Sequence, residues 1–184
     1  MNIGFSLPAT FAVTHAGNGV RAQAIAQAEA LRELGHTVIE LDSWKALGEQ
    51  DCAVVQFFSG GFPHYRIDEV LRATRPGYKL VFAPIIDSNE APWRYRLAAR
   101  LGHWHPKIFT IPGELARQAR AADVVVCRSR HEQHRVVEDL GVPVSRTRIV
   151  LNGVDAPRPS ADLDAVRRQW SLPQDFCLHV STYT

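Results

Sequence analysis

Methionine occurs once, cysteine three times, and no apolar run approaches the ~20 residues that a membrane-spanning helix needs. Excess charge is scarce as well. Lysine and arginine total 21 against 19 aspartates and glutamates, and a net charge of +2 is too small for the basic footprint of a nucleic-acid-binding protein. The opening Met1-Asn2-Ile3-Gly4-Phe5-Ser6-Leu7-Pro8 has neither the basic region nor the apolar stretch of a signal peptide. Together these absences predict a cytoplasmic protein with no nucleic-acid partner. What the sequence does have is material for a core. Its 184 residues, 46% hydrophobic and 22% charged, suit about one globular domain.

Cys52, Cys127 and Cys177 are odd in number, far apart and set in apolar runs, which predicts buried free thiols rather than disulfides or metal ligands.

Short β-branched or aromatic runs alternate with helical patterns, the arrangement of a parallel sheet covered on both faces. Strands are expected at Ile3 to Ser6, Thr37 to Leu41, Ala53 to Phe58, Lys79 to Ala83, Val124 to Cys127 and Arg148 to Leu151. Val20, Ala24, Ala28 and Leu31 recur at helical spacing with Glu29, Arg32 and Glu33 on the wet face, and Gly35 stops that helix. A further helix is expected over Arg66 to Thr74. Ser129 followed by Glu132 is a capping-box pattern, and Gly141 is expected to end the helix it starts. The fold class implied is α/β, a Rossmann-like doubly wound sheet whose ligand crevice lies at the carboxyl ends of the strands.

Composition shifts at Asn152. The run Asn152 to Ser160 holds two prolines, a glycine and turn formers, as a linker does. Leu163, Val166 and Trp170 then mark a short helix, and Phe176 to Val180 resembles another strand. The expected division is a domain over 1–151, then a linker, helix and first strand of a truncated second domain over 152–184.

Gly17-Asn18-Gly19-Val20-Arg21-Ala22 precedes a helix, so its backbone N–H groups can face a phosphate or carboxylate. The same letters satisfy a dinucleotide fingerprint, with Asp42 about 20 residues beyond Ala22. Against that stands the interval of about ten residues between Ser6 and Gly17, where a dinucleotide turn follows its strand directly. A flexible loop with a glycine-assisted helix start is the plain structural account. Gly60-Gly61 either lets backbone approach a ligand or simply turns the chain.

His15 and His64 fall in loops at the ligand end of the sheet, placing them with Gly60 and Gly61 as candidates for an acceptor site. His103 with His105, and His131 with His134, lack further ligands at metal spacing and are expected to face solvent. Asp87 is the one carboxylate that the pattern places at the crevice, as a catalytic candidate or a helix cap. Trp93, Leu97, Leu101 and Trp104 share a helix face with Arg94, Arg96, Arg100 and Lys107 around it. Such a helix either lies on an anionic membrane surface or packs on its own sheet with its arginines in water, the second being the favoured expectation. No G-x-S-x-G elbow, Walker loop or nucleophile with a local base is present.

Four segments in order, Gly17 to Val20, Ala30 to Val38, Ala122 to Val126 leading to Ser129, and Leu140 to Pro143 leading to Asn152 to Asp155, resemble the amino-terminal acceptor domain of family-4 glycosyltransferases of the GT-B fold. The resemblance covers almost the whole chain. It implies a two-domain enzyme that transfers a sugar from a nucleotide-sugar donor to a glycan, lipid or small-molecule acceptor, with retention and without a metal or other cofactor. It places the phosphate-binding loop on Gly17, Asn18 and Gly19 and the interdomain hinge on Asn152, Gly153 and Asp155. It also implies that this stretch alone is inactive. Peripheral contact with the inner membrane face remains the alternative expectation from the basic, aromatic helix around Trp93 to Trp104. Two departures stand out. Many members carry a histidine where this chain has Ile86 before Asp87, and another where it has Phe58. The competing expectations are an NAD-type dinucleotide-binding domain and a non-catalytic binding module.

Overall fold

The computed structural model describes residues 1–6, 19–41, 52–61, 77–86, 90–104, 108–152, 162–173, 175 and 177. The chain divides into two compact units, Met1–Asn152 and Gly153–Thr184.

In the first unit six strands form one parallel sheet: β1 (Asn2–Ser6), β2 (Thr37–Glu40), β3 (Val54–Ser59), β4 (Lys79–Pro84), β5 (Val124–Cys127) and β6 (Thr147–Ile149). Their spatial order is β2-β1-β3-β4-β5-β6, so the direction of winding reverses between β1 and β3. The helices are α1 (Gly19–Glu33), α2 (Pro92–Trp104), α3 (Ile111–Ala121) and α4 (Arg130–Glu138).

Side-chain alternation along the strands sorts the core into two layers. Ile3, Phe5, Phe58 and Ala83 face one way and pack with Ala24 and Ala28 of α1. Val55, Phe57, Leu80, Phe82, Val125 and Cys127 face the other way and pack with Tyr95 and Ala99 of α2, Leu115 and Ala119 of α3, and Val136 of α4. Phe57 stacks on Phe82 across β3 and β4, with ring centroids 4.6 Å apart. The fold is therefore the expected α/β doubly wound sheet, with helices on both faces.

Local chemistry explains the element ends. Gly35 at φ +83 lets the chain leave α1, with its N–H on the Arg32 carbonyl and that of His36 on Leu31. Ser129 Oγ accepts from the Glu132 N–H and starts α4 as expected. The Glu132 carboxylate, however, does not complete a capping box on Ser129; it accepts from the Arg128 N–H at 2.6 Å instead. Helix α4 ends at Glu138, and Gly141, at φ +72, turns the chain only afterwards.

α3 is an element that the strand-and-helix alternation did not predict. Thr110 caps it by accepting from the Gly113 N–H, and Pro112 sits in its first turn, where no hydrogen-bond donor is needed. The helix expected over Arg66 to Thr74 lies outside the described residues.

In the second unit α5 (Leu163–Trp170) is capped by Asp162, whose carboxylate accepts from the Ala165 N–H. Val166 and Trp170 are exposed, and so is Cys177, which corrects the expectation that all three thiols are buried. Cys52 and Cys127 are buried as expected. The difference is physical. Those two sit in the packed layers of the sheet, whereas a unit as short as Gly153–Thr184 has little apolar surface with which to enclose a side chain.

Candidate functional site

The carboxyl ends of β3 and β4 open into a cavity of about 890 Å³. Gly60 follows β3, Ile85 and Ile86 follow β4, and the wall opposite is built from Ala91, Tyr95 and Ala98 of the α2 region with Ile111, Pro112 and Leu115 of α3. Among the described residues Glu90, Arg94 and Tyr95 supply the charged and hydroxyl groups of the lining, and the other lining residues are apolar. An apolar recess with a few converging polar groups, at the carboxyl end of a parallel sheet, is the usual form of a small-molecule site.

Buried ion pairs hold the cavity walls in place. Glu132, on the first turn of α4, bridges two strand ends. Its carboxylate takes the Ile86 N–H beyond β4 at 3.4 Å and pairs with the Arg128 guanidinium beyond β5 at 2.7 Å. Arg135, one turn on, pairs with Asp139 at 2.8 Å and lies over the Tyr95 ring at 4.5 Å, while Arg96 reaches the same Asp139 at 3.2 Å. Arg135 also donates to the Glu90 carbonyl at 3.3 Å. Through these contacts α4 fixes α2 against the sheet.

Tyr95 is buried, and burial is the main reason its hydroxyl is pushed up to about 12; the Arg135 charge opposes that shift, and Asp139 and Glu132 add to it. The phenol therefore stays protonated across the physiological range. Burial likewise raises the Cys127 thiol to about 12, with Glu132 adding to the shift and Arg128 opposing it. That cysteine is a core residue rather than a nucleophile.

Of the residues singled out in the sequence, the cavity gathers Gly60 and Arg94, together with Ile86 at one of the departure positions. Gly61 is beside it, but its glycine is required by packing. At φ +85, an added Cβ would lie 2.7 Å from the Ile111 carbonyl oxygen and 3.0 Å from Leu115 Cγ. Gly19 is the first residue of α1, with open space where a side chain would be. Asn152 is exposed at the end of the first unit. Phe58, at the other departure position, is buried edge-to-face against Phe5 at 5.8 Å and belongs to the core. His15, Gly17, Asn18, His64, Asp87, Gly153 and Asp155 lie outside the described residues.

The helix bearing Trp93, Leu97, Leu101 and Trp104 packs on its own core with Arg94, Arg96 and Arg100 exposed, as favoured from the sequence, but through another face than expected. Its apolar stripe does not pack on the sheet; all four residues are exposed, and α2 packs inward through Tyr95, Ala99 and Gly102 instead. His131 and His134 are exposed on α4. Among the described residues no group of three or more His, Cys, Asp or Glu side chains comes together in a way that could hold a metal ion.

Sequence reasoning passed over Glu90, Tyr95 and Leu115 as site residues. Tyr95 carried a signal, since Ala91, Tyr95 and Ala98 follow one another at helical spacing on the face away from the tryptophans. No protein-family model matches the chain, and no curated protein matches it.

Proposed function

We propose that the first unit is the acceptor-side half of a retaining glycosyltransferase that takes its sugar from a nucleotide-activated donor. The observation that carries this reading is the apolar cavity at the carboxyl ends of β3 and β4, with Glu90, Arg94 and Tyr95 in its wall. It is supported by the order of the motifs that resemble family-4 glycosyltransferases. Gly19 opens α1, Gly35 closes it, Ser129 caps the helix after β5, and Asn152 ends the unit.

On this reading the acceptor occupies the cavity. Tyr95, protonated, and Glu90 offer hydrogen bonds to hydroxyl groups, and the aliphatic lining of Ile85, Ile86 and Leu115 takes the less polar part of the molecule. The backbone N–H groups of Gly17, Asn18 and Gly19 stabilise the diphosphate as it leaves and gains charge. On this reading the donor is held mainly by a second Rossmann-like domain. The enzyme is cytoplasmic and transfers the sugar without a metal.

The test is to substitute Ala91→Trp, which sets an indole at an exposed position in the cavity wall. Acceptor KM is expected to rise at least about tenfold with donor KM unchanged, because the lost term is acceptor binding. An unchanged acceptor KM removes the cavity from the acceptor site.

A further inference from the structure

Helix α2 has two apolar sides. The inner one uses small residues and one tyrosine: Tyr95, Ala99 and Gly102 face α3 and the sheet. The outer one is made of large residues left in water, with Trp93 61%, Leu97 50%, Leu101 37% and Trp104 86% exposed. At the α-helical angle of about 100° per residue these four side chains fall within an arc of roughly 80°, opposite the buried side.

Charge frames that stripe. Arg96 and Arg100 lie along one flank and Arg94 along the other, and the helix contains no aspartate or glutamate. Arg94 stacks on Trp93 at 5.3 Å and reaches toward Glu90 at 3.9 Å, both side chains being well exposed. Arg96 remains 45% exposed while it pairs with Asp139. Beyond the helix, Ile108, Phe109 and Ile111 are also exposed, and Thr110 among them is held against α2 by its 2.7 Å bond to the Ala98 carbonyl. Exposed aromatics on one side of a helix, edged by arginines whose aliphatic stems can lie along the apolar surface, match an interfacial helix that lies flat on lipid. Tryptophans at both ends of the stripe suit the headgroup level.

We propose that α2 is a monotopic membrane contact, seating Trp93, Leu97, Leu101 and Trp104 in the headgroup region of an anionic lipid surface with Arg94, Arg96 and Arg100 on lipid phosphates. Among the described residues no helix is long and apolar enough to cross a membrane, so the contact is with one leaflet. A second copy of the chain is the weaker fit for this face. A two-fold contact through the stripe would bring three arginines of one copy against three of the other with no acidic residue of α2 to answer them. Anionic phosphates answer them directly.

The test is flotation of the purified protein with vesicles of phosphatidylcholine alone or with phosphatidylglycerol, read alongside tryptophan emission. The expected result is binding to the anionic vesicles roughly tenfold stronger than to the neutral ones, weakened by salt, with a blue shift of the emission. Trp93→Ser with Trp104→Ser removes binding while circular dichroism stays native, Arg100→Glu weakens it, and Leu34→Ser, which changes an exposed leucine at the far end of α1, leaves it unchanged. Equal binding by the wild type and the double tryptophan variant overturns the proposal. So does absence of vesicle binding, with or without a concentration-dependent dimer in light scattering that the tryptophan substitutions dissolve.

Discussion

Gly102 of α2 and Gly113 of α3 meet backbone to backbone. A Cβ added to Gly113 would stand 2.8 Å from Gly102 Cα and 2.7 Å from Thr110 Oγ1. Two glycines at one crossing let the helices approach closely enough for the Thr110 hydroxyl to cap α3 and also donate to the Ala98 carbonyl of α2. Because Ala98 and Pro112 both line the cavity, this crossing sets the spacing of its far wall.

Gly113→Ala is therefore expected to cost about 1–3 kcal/mol, the range for an added methyl in a packed contact. A urea titration checks this as a lowered midpoint with an unchanged slope. Gly19→Ala is the contrasting case. A methyl there meets open space, so the midpoint should stay within about 0.5 kcal/mol of wild type.

Glu132 fastens the ends of β4 and β5. Glu132→Ala removes a buried carboxylate that binds the Arg128 guanidinium and two backbone N–H groups, and a loss of about 1–3 kcal/mol is expected. The same substitution frees the Ile86 backbone, so exchange of that amide should quicken more than that of Leu80 in the middle of the sheet. Unaltered protection at Ile86 would reject the bridge.

Alkaline pH should destabilise the fold through two groups. Folding holds the Cys127 thiol and the Tyr95 phenol at about 12, above their ordinary 9.0 and 10.0. Between those limits the unfolded chain releases protons that the native chain keeps, so raising the pH favours unfolding. Stability from these groups is full below about pH 9 and falls from there toward 12. Tyr95→Phe should flatten the decline above pH 10 in a series of urea titrations; a decline as steep as that of the wild type would contradict the assignment.

Thiol labelling separates the cysteines. Cys177 is exposed, whereas Cys52 and Cys127 are buried. One equivalent should react rapidly with an aromatic disulfide reagent at pH 8, and the other two only on unfolding. Rapid reaction of all three would place the core elsewhere.

The strands were readable because β-branched and aromatic residues concentrate there, as in Val54 to Phe58 and Val124 to Cys127. Orientation of α2 was not. Its large apolar residues mark the outer side, and the inner side is chosen by Ala99 and Gly102, whose small side chains give little hydrophobic signal but permit close approach to Gly113. Helix α3 was hidden for a related reason, since Gly113 sits in its first turn and Arg117, Gln118 and Arg120 dilute its apolar pattern. The ion pairs of Glu132, Arg135 and Asp139 were illegible because charged helix residues read as a wet face until their partners on other elements are known. The cavity follows the rule for parallel sheets, yet its polar groups come from α2, whose facing only the fold decides.

Gly19 pairs a functional expectation with its structural tolerance. Gly19→Trp should leave the midpoint of unfolding near wild type, because a Cβ there meets nothing within 4 Å, and under the proposed function it should reduce sugar transfer at least about tenfold by obstructing the donor diphosphate. Full transfer by the variant would remove the loop from the site.

Sugar transfer by this protein is tested by supplying it, as it occurs naturally, with radiolabelled nucleotide sugars and a cell extract as acceptor pool. Label is expected to pass from at least one donor into a product with retained anomeric configuration, and to be lost on Ala91→Trp. Absence of transfer from every donor, together with tight binding of NAD, would contradict the proposed function.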